Sequence, residues 1–345
     1  MLLEHKEEQA GGERILRLLC SIASVIVLIG GATSASSANA GAVVEYRWSR
    51  EIDSAAWEGS YNFPVFVVRN EMWALQARGA WTSRDGRTWV KSQLPASGVN
   101  TGYQRYVKLG DAIYGLGTMT GNYLDLHLTS RIMRTRDFKT WETIAATSNL
   151  PPRVFYGAVT YNDKMWMLGG YDGHSYYNDV WSSPDGVNWT REVEHAPWTP
   201  RNVDMVIEFK GRIWIIGGGV IDGQREINSN SKREVWSSAD GLHWERQPDR
   251  DGNAYGGAPV VFDDQLWLIA SNRNSTFAPS LIATKDGKSW REETAPWSPR
   301  GAPAVWVFAG KLFMAGGKYS VPVNGQPHFI YRNDVWSMAL ASGGR

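Results

Sequence analysis

The sequence has one cysteine in 345 residues and almost no excess of charge of either sign, with 36 basic and 35 acidic side chains. A single thiol excludes an intrachain disulfide and any metal site built from several thiolates. The balanced charge removes the electrostatic basis for nucleic acid or an anionic membrane surface as the main partner, because no surplus of Lys and Arg neutralises phosphates.

Long apolar runs are also scarce, and the one that stands out lies near the N-terminus. Two arginines precede the run from Leu18 to Ile29, and a small-residue stretch then ends in Ala38-Asn39-Ala40. These features are typical of a secretory signal peptide, and the run is too short to span a bilayer comfortably. We expect a signal peptide over residues 1–40 and export, to the periplasm or as a secreted protein. An uncleaved N-terminal anchor, or a start codon assigned too far upstream, stays open.

What the chain has in excess is tryptophan, with 18 residues. Large apolar rings at that frequency usually mark a repeated packing position. A segment of the form Ser/Thr-x-Asp-Gly-x-x-Trp recurs as SRDGRTW from Ser83, TRDFKTW from Thr135, SPDGVNW from Ser183, SADGLHW from Ser238 and TKDGKSW from Thr284. Its tryptophans are 52, 48, 55 and 46 residues apart, which is the scale of one four-stranded propeller blade.

Strand patterns flank these copies. AVTYNDKMWMLGG from Ala158, MVIEFKGRIWIIGG from Met205 and AVWVFAGKLFMAGG from Ala304 each predict two strands joined by a tight turn. The Gly pair after the second strand predicts a close approach of the backbone to a neighbour. EYRWSREI, from Glu45, resembles VNWTREV, from Val187, and predicts the outer strand of a sixth blade. The sequence therefore predicts an all-β, six-bladed β-propeller over residues 41–345, closed by the N-terminal strand.

The glycine doublets, the NDVW segments at Asn178–Trp181 and Asn333–Trp336, and the Pro-Arg pairs before the first strand resemble kelch repeats. The resemblance covers essentially the whole mature chain and implies a kelch-type propeller. Galactose oxidase shares that architecture, but its copper–radical chemistry needs a cysteine linked to a tyrosine, and Cys20 lies in the predicted leader. The Asp-containing turn also resembles the Asp box of sialidases, shortened by one residue, which we interpret as convergent hairpin chemistry. The resemblance specifies a fold and leaves the activity open.

The aspartates of the repeated turn are predicted to be structural. Each can accept hydrogen bonds from backbone N–H groups of its own hairpin, and the following glycine tolerates positive φ. They lie on five separate blades and cannot converge on one ion, so neither a metal site nor another cofactor is predicted. These aspartates are Asp85, Asp137, Asp185, Asp240 and Asp286.

The long loops predict a binding face. The Asp-containing turns occupy one face of the propeller, while the loops between second and third strands and between blades share the other, which we call the long-loop face. Arg153, Arg201 and Arg300 each precede a second-strand aromatic residue by 13 positions, and three guanidinium groups at the channel mouth would suit an anion. Trp198 and Trp297 would stand beside them as stacking platforms for a sugar. The alternative is that these arginines only hydrogen-bond neighbouring loop carbonyls.

Further candidate ligand-binding residues on the long-loop face are Arg225, Glu226, His174 and Tyr177. None has a spacing that ties it to a partner, so no catalytic residue is predicted. We expect a binding or scaffold module for a glycan, an anionic small molecule or a protein partner. The alternative is a carbohydrate-active enzyme, similar to the six-bladed kelch mutarotases that act on sialic acid or, less closely, to sialidases.

Overall fold

The computed structural model describes residues 45–76, 79–92, 104–122, 125–203, 205–221, 226–227, 233–250, 254–255, 257–273 and 276–341. These residues form strands and turns, and none of them forms a helix that could cross a membrane. The strands make six four-stranded blades, one of which carries an extra short strand. The all-β class and the six-bladed propeller are therefore confirmed. The predicted leader, residues 1–40, lies outside the described residues.

The strands are numbered along the chain, and the first, β1 (Tyr46–Ile52), belongs to the last blade. In blades one to three the spatial order of the strands is their order in the chain. Blade one contains β2 (Val65–Val68), β3 (Glu71–Gln76), β4 (Gly79–Ser83) and β5 (Val90–Ser92). Blade two contains β6 (Arg105–Leu109), β7 (Ala112–Asn122), β8 (Asp125–Thr135) and β9 (Glu142–Ala145). Blade three contains β10 (Gly157–Tyr161), β11 (Lys164–Tyr171), β12 (Tyr176–Ser183) and β13 (Thr190–Val193).

Blades four to six carry additional short strands. Blade four contains β14 (Val206–Phe209), β15 (Arg212–Ile216), β18 (Val235–Ser238) and β19 (Glu245–Gln247), with the small hairpin β16 (Val220–Ile221) and β17 (Glu226–Ile227). Blade five contains β20 (Ala254–Tyr255), β21 (Ala258–Phe262), β22 (Gln265–Arg273), β23 (Thr276–Thr284) and β24 (Trp290–Thr294). Blade six contains β25 (Ala304–Phe308), β26 (Lys311–Ala315), β29 (Val335–Leu340) and β1, with the hairpin β27 (Lys318–Val323) and β28 (Gln326–Tyr331).

The pairing of third and fourth strands keeps one register from blade to blade. In blade three Trp181 lies opposite Arg191, two residues after Trp189. In blade six Trp336 lies opposite Arg50, two residues after Trp48, because β1 pairs antiparallel with β29. The side chains of these outer strands therefore meet equivalent neighbours in both blades.

The core lies between blades. The described residues form six apolar clusters, and each fills the space between two neighbouring blades. Between blades three and four, for example, Trp166 and Leu168 pack against Ile213 and Ile215. Burying such side chains stabilises the ring by about 25 cal/mol per Å² of apolar surface. The apolar contacts between neighbouring blades therefore hold the propeller together.

The glycines of the repeat lie where backbone and rings come close. A Cβ on Gly287 of blade five would overlap the indole of Trp214 in blade four. In the glycine doublets, the N–H of Gly170 donates to the carbonyl of Arg201 in the next blade (3.0 Å), and the N–H of Gly317 donates to that of Ser60 (2.9 Å). The doublets therefore make the close approach to a neighbour that the sequence predicts.

Candidate functional site

The repeated turns place each aspartate inside its own hairpin. Asp286 Oδ1 accepts hydrogen bonds from the backbone N–H groups of Lys288 (2.8 Å) and Ser289 (2.7 Å), and the hydroxyl of Thr284 donates to the same oxygen (3.0 Å). The other four turns repeat the two backbone hydrogen bonds. The backbone hydrogen bonds lower the pKa of Asp286 from 3.8 to about 2, because they favour the charged form.

The three arginines predicted to bind an anion are buried, at 7%, 0% and 1% exposure for Arg153, Arg201 and Arg300. Each guanidinium donates to the carbonyl of the first doublet glycine and to a carboxylate just before or in the third strand. The acceptors are Gly169 and Asp179 for Arg153, Gly217 and Glu234 for Arg201, and Gly316 and Asp334 for Arg300. This geometry matches the alternative of structural arginines and gives no support to an electropositive patch.

The same carboxylates also hold the third-strand tryptophans. The indole N–H of Trp336 donates to Asp334 (2.9 Å), and that of Trp181 donates to Asp179 (2.8 Å). Burial alone would raise the pKa of Asp334, but the hydrogen bond and charge of Arg300 outweigh it and hold that pKa below 3.8. We call each set of arginine, glycine carbonyl, carboxylate and tryptophan an arginine clamp.

Trp198 and Trp297 are 2% and 3% exposed. Their rings lie edge-on to the outer-strand tryptophans, with centroids 4.6 Å apart for both Trp198–Trp244 and Trp297–Trp48. Indoles buried between blades present no open face, so the prediction that they stack on a sugar has no support in the structure. Each ring instead contributes about 150–250 Å² of buried surface to the core.

His174 and Tyr177 lie near a tight turn between the second and third strands of blade three. Asp172 accepts the backbone N–H groups of His174 and Ser175 (both 2.8 Å) and the phenol of Tyr177 (2.6 Å). The hydrogen bond to Asp172 raises the pKa of Tyr177, whose ring lies under the guanidinium of Arg153 at 3.7 Å. Tyr177 therefore supports the local structure, while His174 is exposed.

The structure describes only part of the Arg225-Glu226 pair. Arg225 lies outside the described residues, and Glu226 is described as a backbone position in β17. Among the described residues, no group of three His, Cys, Asp or Glu side chains is placed to hold a metal ion.

A cavity of about 270 Å³ lies where the first strands begin, around the axis of the propeller and towards the long-loop face. Residues from blades one, two, three, four and six line it. The lining includes Phe66, Gln104, Arg105, Ala158, Val206 and Ala304. The surface of the cavity is more polar than apolar, and Asn62 and the residues of blade two supply its polar side chains.

In blade two, Gln104 rather than an arginine donates to the glycine carbonyl of the second strand, and Arg105 follows it in the chain. The amide of Gln104 donates to the carbonyl of Gly117 (2.7 Å), and its oxygen accepts the phenol of Tyr106 (2.7 Å). Arg105 donates from Nε to the carbonyl of Tyr156 in blade three (3.2 Å). Arg105 is the charged residue among those that line the cavity.

Sequence reasoning missed Arg105, although the repeat carries a signal for it. Nine residues before the second-strand aromatic, blade two has Arg105. The other blades have small or apolar residues at this position, which are Pro64, Gly157, Met205, Ala258 and Ala304. A charged residue at a position that is small or apolar in the other blades therefore distinguishes blade two.

A further buried arginine was also missed. Arg250 is 1% exposed, and burial lowers the pKa of its guanidinium from 12.5 to about 10. It lies 17 residues before Trp267, whereas the clamp arginines lie 13 residues before their aromatic residue. A search for arginines 13 residues before the second-strand aromatic residue therefore misses Arg250.

Comparison with known proteins identifies one repeat directly. A family model described as the Kelch motif matches residues 152–182, which include Arg153 and the glycine doublet of blade three. The chain is 32% identical over 177 residues to the dynein alpha chain of the flagellar outer arm of Chlamydomonas reinhardtii, with 45% of this chain and 4% of that protein covered. It is 26% identical over 172 residues to the leucine-zipper-like transcriptional regulator 1 homolog of Drosophila melanogaster, with 43% and 17% covered.

A third relative is beta-scruin of Limulus polyphemus, 24% identical over 197 residues, with 54% of this chain and 21% of that protein covered. The chain thus spans about a fifth or less of the length of these relatives. Among solved structures, the structure of YjhT superposes with a TM-score of 0.64 at 12% identity, covering 85% of this chain and 98% of that one. At this identity the likeness shows the fold.

Proposed function

We propose that this chain, a kelch-type six-bladed β-propeller, is a binding module that holds a small anionic ligand in the cavity at the long-loop mouth of its axis. The observation that carries the proposal is the cavity of about 270 Å³ with the guanidinium of Arg105 in its wall. Pockets for small ligands use a few placed polar groups to orient the ligand. A guanidinium in the wall of a cavity suits a carboxylate or another planar anion.

Binding fits this lining better than catalysis does. The described residues that line the cavity offer Asn62, Gln104, Arg105 and Tyr106, and neither a carboxylate nor an imidazole is among them. Burial raises the pKa of Tyr106 above 10, so its phenol stays protonated at neutral pH. A carbohydrate-active enzyme would need a general acid and base beside the substrate, so that alternative stays a prediction from the sequence.

A thermal-shift experiment with matched sugars tests the proposal. Glucuronate and galacturonate should raise the Tm of the wild type, while glucose and galactose should leave it unchanged. A ligand at about 100 times its Kd stabilises a protein by about 2.7 kcal/mol. Arg105→Gln should abolish the shift, and the control Arg84→Gln should keep it, because the Arg84 side chain is 78% exposed and contacts Glu71.

Two outcomes would contradict the proposal. Equal shifts with acidic and neutral sugars would remove the requirement for an anion. An increase in Tm that persists in Arg105→Gln would show that the ligand binds outside the cavity. Titration calorimetry with citrate and glutarate extends the same comparison to carboxylates without a sugar ring.

We also propose export, on the sequence pattern of residues 1–40. Edman sequencing of the protein recovered outside the cytoplasm should begin at Gly41. A protein that stays in the cytoplasm with its first forty residues intact would contradict this proposal.

A further inference from the structure

The hairpin β27–β28 continues the second and third strands of blade six on the long-loop face. It forms a separate two-stranded sheet, with Lys318 opposite Tyr331 and Ser320 opposite Phe329. Opposite residues, and residues two apart in a strand, share one side of a sheet. These four residues therefore lie on one side of the hairpin. The ring of Tyr61 stacks on Tyr331, with centroids 5.5 Å apart and planes 25° apart, and we call the five residues the aromatic–lysine face.

The ammonium group of Lys318 lies between two rings of this face. Its Nζ is 4.0 Å from the ring centroid of Tyr61 and 4.8 Å from that of Phe329. The residue is half-buried, and desolvation lowers its pKa below 10.5. Within the described part of the chain, no carboxylate forms an ion pair with it. Rings compensate a desolvated ammonium only in part, so a carboxylate brought to this position would form a charge-assisted hydrogen bond.

The rings of the aromatic–lysine face remain accessible. Phe329 and Tyr331 are 41% and 45% exposed, and Val323 at the tip of the hairpin is 49% exposed. These are three of the large apolar side chains that the described structure leaves in contact with solvent. Accessible aromatic rings are among the residue types enriched in protein interfaces.

The size of the face favours a peptide over a free small acid. At about 3.3 Å per residue, the stretch from Lys318 to Ser320 is about 7 Å long, which matches two or three extended residues. Pro322 and Pro327 lie opposite each other near the tip, and neither has a backbone N–H to offer an added strand. A partner is therefore recognised through side chains on the face more than through pairing at the edge.

We propose that the aromatic–lysine face docks an extended segment of a partner protein. An Asp or Glu carboxylate of that segment pairs with the ammonium group of Lys318, and a neighbouring apolar or proline residue packs on Phe329 and Tyr331. None of the five residues of this face lines the cavity that contains Arg105, so the proposal does not depend on the small anionic ligand.

Selection of random peptides displayed on phage tests this proposal with the full-length chain as bait. Peptides selected on the wild type should share an Asp or Glu next to an aromatic, aliphatic or proline residue. A synthetic peptide of the selected consensus should bind Lys318→Met about tenfold or more weakly, as expected for loss of a partly desolvated charge pair. The control Lys288→Met should bind like the wild type, because the exposed Lys288 lies on the opposite face, in an Asp-containing turn.

Further variants separate the outcomes. Substituting Gln for the acidic residue of the peptide should weaken binding to the wild type and leave binding to Lys318→Met unchanged. Phe329→Ala should weaken binding with the Tm unchanged, because the ring is exposed. The proposal is overturned if no peptide is enriched, if the consensus lacks an acidic residue, or if it binds Lys318→Met as tightly as the wild type.

Two other occupants of the face would also overturn the proposal. A dimer of the wild type in light scattering that Phe329→Ala dissociates would assign the face to a second copy of this chain. Phenylacetate that binds in a Lys318-dependent way, while the selected peptide does not, would assign it to a small acid.

Discussion

At the scale of single residues, the aspartate and the glycine of each repeated turn have different tasks. The aspartate satisfies backbone N–H groups of its own hairpin, as Asp286 does for Lys288 and Ser289. The glycine leaves room for an aromatic ring of the preceding blade, as Gly287 does for Trp214. Blade two solves the second task differently, because Phe138 occupies the glycine position at φ 59° and stacks on Trp73 with centroids 5.2 Å apart.

Asp286 makes stability depend on acidic pH. Its folded-state pKa is about 2 against an ordinary 3.8, so the unfolded chain takes up the proton first as the pH falls. The stabilising contribution is complete above about pH 4 and is lost as the pH falls through about 2. Asp286→Asn keeps an acceptor oxygen but cannot titrate. Its Tm should therefore decrease less than that of the wild type from pH 5 to pH 2, and parallel decreases would contradict this prediction.

Gly287 should tolerate alanine far less well than Gly211. Both have positive φ, 74° and 68°, but a Cβ would overlap Trp214 at Gly287 and meets no atom within 4 Å at Gly211. Gly211→Ala should cost about 1 kcal/mol for its backbone conformation, and Gly287→Ala about 2–4 kcal/mol once overpacking is added. Urea unfolding of both variants measures the difference. Equal free energies of unfolding for the two variants would show that the indole of Trp214 moves aside without an energetic cost.

At the scale of elements, the arginine clamp joins the start of a blade to its own second and third strands. In blade six, Arg300 links the inter-blade connection to the carbonyl of Gly316 and to Asp334, which also accepts the indole N–H of Trp336. Arginine suits this position because its planar donors satisfy a carboxylate and a carbonyl together. The clamp thus fixes the connection that enters the blade against the blade's own strands.

Removing one partner of an arginine clamp should lower the free energy of unfolding substantially. Arg300→Met would remove the main counter-charge of the buried Asp334 and leave only the more distant Arg50, at 4.0 Å, and breaking a buried pair costs about 3–5 kcal/mol. Arg84→Met removes an exposed ion pair with Glu71 and should cost less than about 1 kcal/mol. Denaturant unfolding of the two variants gives the comparison. A loss of under about 1 kcal/mol in Arg300→Met would mean that the clamp is not structural.

At the scale of the whole molecule, stability comes from six interfaces arranged in a ring. The last interface depends on β1, where Tyr46 packs edge-on to Trp267 at 5.0 Å and Trp48 packs edge-on to Trp297 at 4.6 Å. Tyr46 therefore packs on Trp267, the second-strand aromatic residue of blade five. In blades two, three and four, the glycine of the Asp-containing turn in the next blade packs on the equivalent aromatic residue. Loss of β1 exposes both rings and the free edge of β29.

Deletion of residues 1–52 should therefore lower the Tm and cause aggregation, because an unpaired β29 edge is open to other chains. Deletion of residues 1–44 is the matched control, since it keeps β1, which begins at Tyr46. Thermal unfolding followed by light scattering measures both effects. A deletion of 1–52 that stays monomeric with the Tm of the control would show that the ring does not need this strand.

Much of the fold was predictable because it repeats. The five Asp-containing turns, together with the strand that begins near Glu45, predicted six blades, and the glycine doublets predicted the close contacts between neighbouring blades. The candidate site was less predictable. Arg153, Arg201 and Arg300 attracted attention because they repeat, but residues that repeat in a propeller serve the blade, and Arg105 is distinctive because it does not repeat.

The sequence by itself determined the architecture, since a periodic pattern of strands, turns and rings has one closed arrangement that buries its apolar flanks. Only the tertiary structure decided which polar residues are available. Whether a guanidinium is neutralised depends on Asp179, Glu234 or Asp334, which lie 26 to 34 residues away in the chain. Pairing at such separations is set by how strands pack, and it leaves Arg105 in a cavity wall and Lys318 between two rings.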